Sequence, residues 1–214
     1  MIDMPIHREK SPSVNAAVQD AHRLTDWIVG YHPNRFVETG HRRVALACYS
    51  IALDHREAIL LLLKAGARTS AYALARSVYE AFMRGLWCET VMTANQYEIV
   101  IERQSFPKFE TMITALKRRH ENTEIFAQGK RHVWDTFSDY SHGGYRQVVR
   151  RLGGSGIEPC HPDDETVEIL RVVNIYGFLS SMHSAGIAGL DITPYAIKSE
   201  EVLNDRSFGG EVQP

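Results

Sequence analysis

From residue 13 to residue 189 the apolar positions recur at intervals of three and four, the spacing of one face of an α-helix. No stretch sustains the alternation and β-branched enrichment of a strand. The pattern predicts an all-α protein. Ser13 can cap a first helix that runs to about Gly30, and a loop from Tyr31 to Gly40 leads to a long helix from about Arg42 to Ala65. Gly66 breaks it, and a second long helix runs from about Thr69 to Val91. Shorter helices are expected near Asn95–Gln104, Pro107–Arg119 and Glu124–Tyr140, and another after Gly144 through Arg151. A final long helix starts at Asp163-Asp164-Glu165, whose charges suit a helix N-terminus, and ends near Gly189. The expected architecture is a helical bundle built on two long antiparallel helices with a third long C-terminal helix. It forms one domain over residues 1–190, and residues 191–214 form a peripheral, partly disordered tail.

One segment breaks the apolar pattern in a regular way. Tyr72 to Trp87 is mostly apolar, yet Arg76, Glu80 and Arg84 recur every four residues and form a single stripe. Apolar residues flank it on both sides, so the stripe is narrow and is expected to line an internal polar groove. If the two long helices pivot near residue 66, residues at equal height have numbers summing to about 132. His55 then faces Ser77, within a turn of Arg76 and Glu80, on a helix face shared with Cys48, Ile51, Ala52, Ile59 and Leu62. The expectation is an internal cluster of His55, Arg76 and Glu80, with Asp54, at the height of Val78, as a further candidate member. Its roles would be acid or base for His55, anion stabiliser for Arg76 and orienter for Glu80. The alternative is a structural ion pair beside a core histidine.

Charge adds a second region. The net charge of -2 excludes a protein that coats nucleic acid or membranes by charge alone. The window from Lys117 to Arg151 nevertheless carries eight Lys/Arg against four acids, a local +4 that leaves -6 for the rest. Within it Lys130, Arg131, Arg146, Arg150 and Arg151 are candidate RNA- or anion-binding residues. Ser141-His142-Gly143-Gly144 places an imidazole where the backbone can turn sharply, so His142 is a candidate acid or base for metal-independent phosphodiester cleavage. A helix C-cap is the plainer alternative for it.

Three cysteines without CxxC spacing indicate neither a disulfide framework nor a zinc knuckle, and they fit a reducing cytoplasm. The histidines show no HExxH or HxxxH spacing, so no metal and no cofactor are expected. The longest aliphatic run, Ala58 to Leu63, is too short for a membrane span, and the N-terminus has no apolar leader.

The histidine-bearing helix, the glycine break, Ala73-Leu-Ala-Arg76-Ser-Val-Tyr-Glu80 followed by Trp87, and the later Ser141-His142-Gly-Gly144 together resemble uncharacterised bacterial helical families. Those families sit near abortive-infection and HEPN-like proteins. The likeness covers about Val44 to Gly144 and part of the last long helix. It implies a helical, commonly dimeric protein of a defence or toxin–antitoxin system, with RNA cleavage among the activities of the group. The Arg-(four to six residues)-His motif of HEPN nucleases occurs in this chain only as Arg35 to His41. The expected function is thus a metal-independent ribonuclease or nucleotide-acting enzyme, working as a homodimer with RNA or a nucleotide and a cognate antitoxin or defence partner. The other reading is a non-catalytic dimeric helical module with a structural Arg/Glu/His network.

Overall fold

The computed structural model describes residues 11–32, 39–119, 140, 141, 144–153, 156, 157 and 160–204. Among them the protein is all-α. Eight helices follow in chain order: α1 Pro12–Tyr31, α2 Gly40–Lys64, α3 Arg68–Thr90, α4 Ala94–Arg103, α5 Phe109–Arg119, α6 Tyr145–Val149, α7 Asp163–Ile187 and α8 Thr193–Asn204. Between α6 and α7 a two-residue strand β1, Leu152–Gly153, pairs antiparallel with β2, Gly156–Ile157.

The hairpin of α2 and α3 turns where the sequence places it. Gly66 adopts φ 74, the left-handed conformation open to a residue without Cβ. This lets the Ala67 N–H donate back to the Leu62 carbonyl at 2.8 Å and close the end of α2. Gly189, at φ 71, ends α7 in the same manner, with the Leu190 N–H donating to Ala185 at 3.0 Å. Opposite Tyr49 on α2 lie Phe82, Gly85 and Glu89 on α3, bracketing Met83, the residue that a pivot at 66 sets at its height. Arg68 meets Asp163 at one end of α3 and Glu89 meets His183 at the other, so α3 and α7 run parallel. Ser11 meets Asp163 and His32 meets Ser181, so α1 runs with them and α2 runs against all three. Asp163 also accepts from Ser13, which ties the starts of α1, α3 and α7 together. Those three partners hold its carboxyl below the usual carboxylate range, the Ser11 hydroxyl most strongly.

The centre of the bundle holds an arginine. Arg56 is 2% exposed, and three neutral oxygens receive its guanidinium. Nε donates to Asn174 Oδ1 on α7 at 3.0 Å, Nη1 to Thr25 Oγ1 on α1 at 2.7 Å, and Nη2 to the Ala21 carbonyl at 2.8 Å. The Glu57 carboxylate stands 4.0 Å from Nη1. Burial pushes the guanidinium down to about 10, against the pull of Glu57, so Arg56 stays charged at neutral pH. Gly177 makes room for it, since a Cβ there would sit 2.2 Å from Arg56 Cδ.

This corrects one expectation. The inward face of α2 is Ala45, Tyr49, Ala52, Arg56, Ile59, Leu60 and Leu63, whereas Ile51 is exposed and His55 only half-buried. The face lies about one residue, roughly 100°, from the one that would aim His55 inward. Residues 191–204, part of the segment expected to be a peripheral, partly disordered tail, carry a helix. Thr193 to Asn204 form α8, and Tyr195 is buried against Trp27 and Phe178 with its hydroxyl 2.8 Å from Ser181 Oγ. Residues 205–214 lie outside the described residues.

The Arg56 hub gives a stability prediction. Gly177→Ala should destabilise the fold by about 1–3 kcal/mol in urea unfolding, because three hydrogen bonds stop Arg56 from yielding. Arg56→Ala, which leaves a cavity and strands Asn174, should cost about 3–5 kcal/mol. A loss under about 0.5 kcal/mol in both would show that the centre repacks freely.

Candidate functional site

The charged stripe of α3 forms as the spacing requires. Arg76 Nε donates to Glu80 Oε1 at 2.6 Å and Arg84 Nη2 donates to Glu80 Oε2 at 3.0 Å, so one carboxylate bridges two guanidiniums. Arg76 and Glu80 are 16% and 17% exposed and Arg84 is 37% exposed. The stripe is therefore half-buried, and it opens outward at Arg84, whose guanidinium lies 5.6 Å from the Phe106 ring centre. One turn further the same row of α3 reaches Cys88, whose thiol hydrogen-bonds Cys48 of α2. Both thiols are free and buried. The contact from Cys88 draws the Cys48 thiol below its usual value, opposed by burial and helped by the charge of Arg84.

Beside this pair lies the most chemically suggestive arrangement among the described residues. Glu89, in the last turn of α3, accepts the Tyr49 hydroxyl at 2.6 Å and the Nδ1–H of His183 from α7 at 2.8 Å, both on Oε2. Gly85 permits it by seating the Tyr49 ring against bare helix backbone, where a Cβ would come within 2.5 Å. The His183 imidazole stacks on Tyr49 at 5.6 Å and meets Phe82 edge-on at 5.9 Å, so three contacts fix its plane. With Nδ1 committed to Glu89, Nε2 makes no hydrogen bond among the described residues, and the ring is 24% exposed. A carboxylate-oriented imidazole with an open Nε2 is the arrangement of a general base. Burial acts to raise the Glu89 carboxyl. The bonds from His183 and Tyr49 and the charges of His183 and Arg42 outweigh it and hold the group below its ordinary range. Burial first, and then the Glu89 charge, push the Tyr49 phenol up, so it stays a protonated donor.

The other sequence candidates fall elsewhere. Half-buried His55 makes no hydrogen bond or ion pair with Arg76 or Glu80 among the described residues, so the expected three-residue cluster is a pair of arginines around Glu80. His142, Lys130 and Arg131 lie outside the described residues, and Arg146 falls on α6. Arg150 is bound to Glu165 at 2.5 Å, and Arg151 Nη2 donates to Thr69 Oγ1 at 3.3 Å. Both therefore stand at the first turns of α3 and α7. Thr69 and Glu89 are twenty residues apart on one helix, about 30 Å, so these arginines and the Glu89–His183 dyad occupy opposite ends of the bundle. Among the described residues no three His, Cys, Asp or Glu side chains group as metal ligands, and no helix is long and apolar enough to cross a membrane.

The model of a family of unknown function, DUF6988, matches residues 49–199, which take in Tyr49, the stripe, Glu89 and His183. No curated protein and no solved structure matches the chain.

Because its partners depress the Glu89 carboxyl below the reference value of 4.5, the native state binds that proton less readily than the unfolded chain. The stability from Glu89 should be complete above about pH 4.5 and lost as the pH falls through its lower native value. Thermal melts from pH 7 to pH 3 should show a shallower acid decline for Glu89→Gln than for the wild type; parallel declines would contradict the pairing with His183.

Proposed function

We propose that this chain, which belongs to the DUF6988 family of unknown function, is a HEPN-like protein that cleaves RNA without a metal, with His183 as the general base. The observation that carries this reading is the clamp of Glu89 on His183 Nδ1, which leaves Nε2 open at the surface. In the proposed step Nε2 takes the proton of a ribose 2′-hydroxyl, and its oxygen attacks the adjacent phosphorus. The bond to the 5′-oxygen breaks, that oxygen takes a proton from water, and a cyclic phosphate remains. Arg84, the outer end of the stripe, is the guanidinium best exposed on α3 to meet the developing charge, and Glu80 holds it in place. Arg76, bound to the same carboxylate, supports that field from within.

The separation of the two ends favours a strand over a mononucleotide as substrate. About 30 Å from the dyad to Arg150 and Arg151 corresponds to a run of on the order of ten phosphates, whereas a single nucleotide reaches one end only. A cytoplasmic bacterial defence or toxin–antitoxin role, a homodimer and a cognate antitoxin belong to the same reading, and they rest on the family resemblance of the sequence.

A second reading has its own support. Arg76 and Arg84 both pair with Glu80 on their own helix and His55 stands apart, as in a non-catalytic dimeric module whose network fixes the hairpin.

Cleavage of a fluorescent RNA in EDTA separates the two. The catalytic reading expects the wild type to cut and His183→Asn to lose about 10²- to 10⁴-fold in rate at an unchanged melting temperature. Full activity in His183→Asn with loss in His142→Asn would transfer the base to His142. A folded wild type that cuts nothing would favour the interaction module.

A further inference from the structure

At the upper ends of α1 and α7, on the side of the bundle that carries α8, the surface sinks into a groove of about 350 Å³, within the range of small-ligand sites. Trp27 and Tyr31 of α1 form its aromatic wall, and Asp191, Ile197, Lys198 and Glu201 line the side of α8. The wall is stiff. Trp27 packs on Tyr31 at 4.6 Å, meets Tyr195 edge-on at 5.0 Å and touches Phe178 at 5.9 Å, so its indole orientation is set before any ligand arrives.

The net charge around this wall is negative. Two carboxylates, Asp191 and Glu201, face one ammonium, Lys198, which Glu201 already binds at 2.5 Å, so the lining carries a net charge of -1. Two helices end at this place, α1 at Tyr31 and α7 at Ile187, and neither has a basic residue in its last turn to offset its partial negative charge. His32, which caps α1, adds no fixed positive charge, because burial shifts it towards its neutral form. The one helix that starts here, α8, has its positive end met by Asp191, which accepts the Thr193 N–H at 2.9 Å.

We propose that this groove is a binding site for a small organic monocation with an apolar body, such as a quaternary or alkylated ammonium group. The rings supply the faces that attract such a cation, Ile197 meets its methyl groups, and the carboxylates and helix ends supply the compensating charge. An anion is repelled by every fixed charge in the lining except Lys198, and a neutral ligand gains nothing from them. The site is independent of the dyad, since it involves neither Glu89 nor His183.

Choline and its uncharged carbon isostere 3,3-dimethylbutan-1-ol, titrated into the full chain, test the proposal through the Trp27 indole N–H in ¹H–¹⁵N NMR spectra. Choline should shift that resonance saturably below about 10 mM, and the isostere should not. Tyr31→Ala and Glu201→Gln, both at exposed positions, should each weaken choline by about 3- to 30-fold while leaving the remaining spectrum unchanged. Equal binding of the isostere, choline binding untouched by both substitutions, or no saturation in that range would each overturn the proposal.

Discussion

A guanidinium buried among neutral oxygens at the centre of the bundle is the constraint on which the other contacts depend. Desolvating a charge costs several kcal/mol, and Arg56 of α2 recovers it through three hydrogen bonds to two other helices, α1 and α7. Those bonds fix the height of α1 and α7 against α2. Gly177 fixes their separation, since no residue with a Cβ leaves space for the arginine stem. Two turns along the same face of α2, about 10 Å away, lies Tyr49. A similar distance along α7 from Gly177 brings His183 opposite it, and Glu89 of α3 receives both. A slip of α7 by one turn would carry its imidazole about 5 Å past the carboxylate. The dyad is therefore a consequence of the packing around Arg56.

The polar groups of α3 divide into two kinds. Arg76, Glu80 and Arg84 lie on one helix and pair through local spacing, one carboxylate between two guanidiniums, an arrangement that forms wherever such a sequence is helical. Glu89, Tyr49 and His183 come from three helices and meet only in the folded bundle, with one imidazole nitrogen bound and the other open. The first kind is what stability asks of half-buried charges. The second imposes orientation and leaves a reactive atom unused, and that is why the functional reading rests on it.

The all-α class, the hairpin at Gly66, the stripe and the long C-terminal helix were legible because each depends on residues close in sequence. The pairing of heights across the hairpin was legible for the same reason. The rotation of α2 was not. Ile51 and Leu61 are exposed on a helix whose apolar residues nearly encircle it, so periodicity could not choose the inward face, and an arginine is the residue a pattern argument sends outward. The dyad was illegible for another reason: Glu89 and His183 are 94 residues apart, and nothing local links them. Gly85, small and opposite an aromatic residue at the matching height, was the one signal in the sequence that something packs closely there. The helix over residues 193–204 was not legible because a single buried aromatic, Tyr195, anchors it, and one residue gives no period.

The assignment of His183 as an imidazole held by a carboxylate rests on where its proton sits. Long-range ¹H–¹⁵N correlation spectra of ¹⁵N-histidine-labelled protein, assigned by comparison with His183→Asn, read that proton directly in the neutral ring. The geometry predicts a single tautomer protonated at Nδ1 with Nε2 bare, and a return to a mixture in Glu89→Gln. A wild-type His183 protonated at Nε2, or exchanging freely between tautomers, would contradict the clamp and with it the general base.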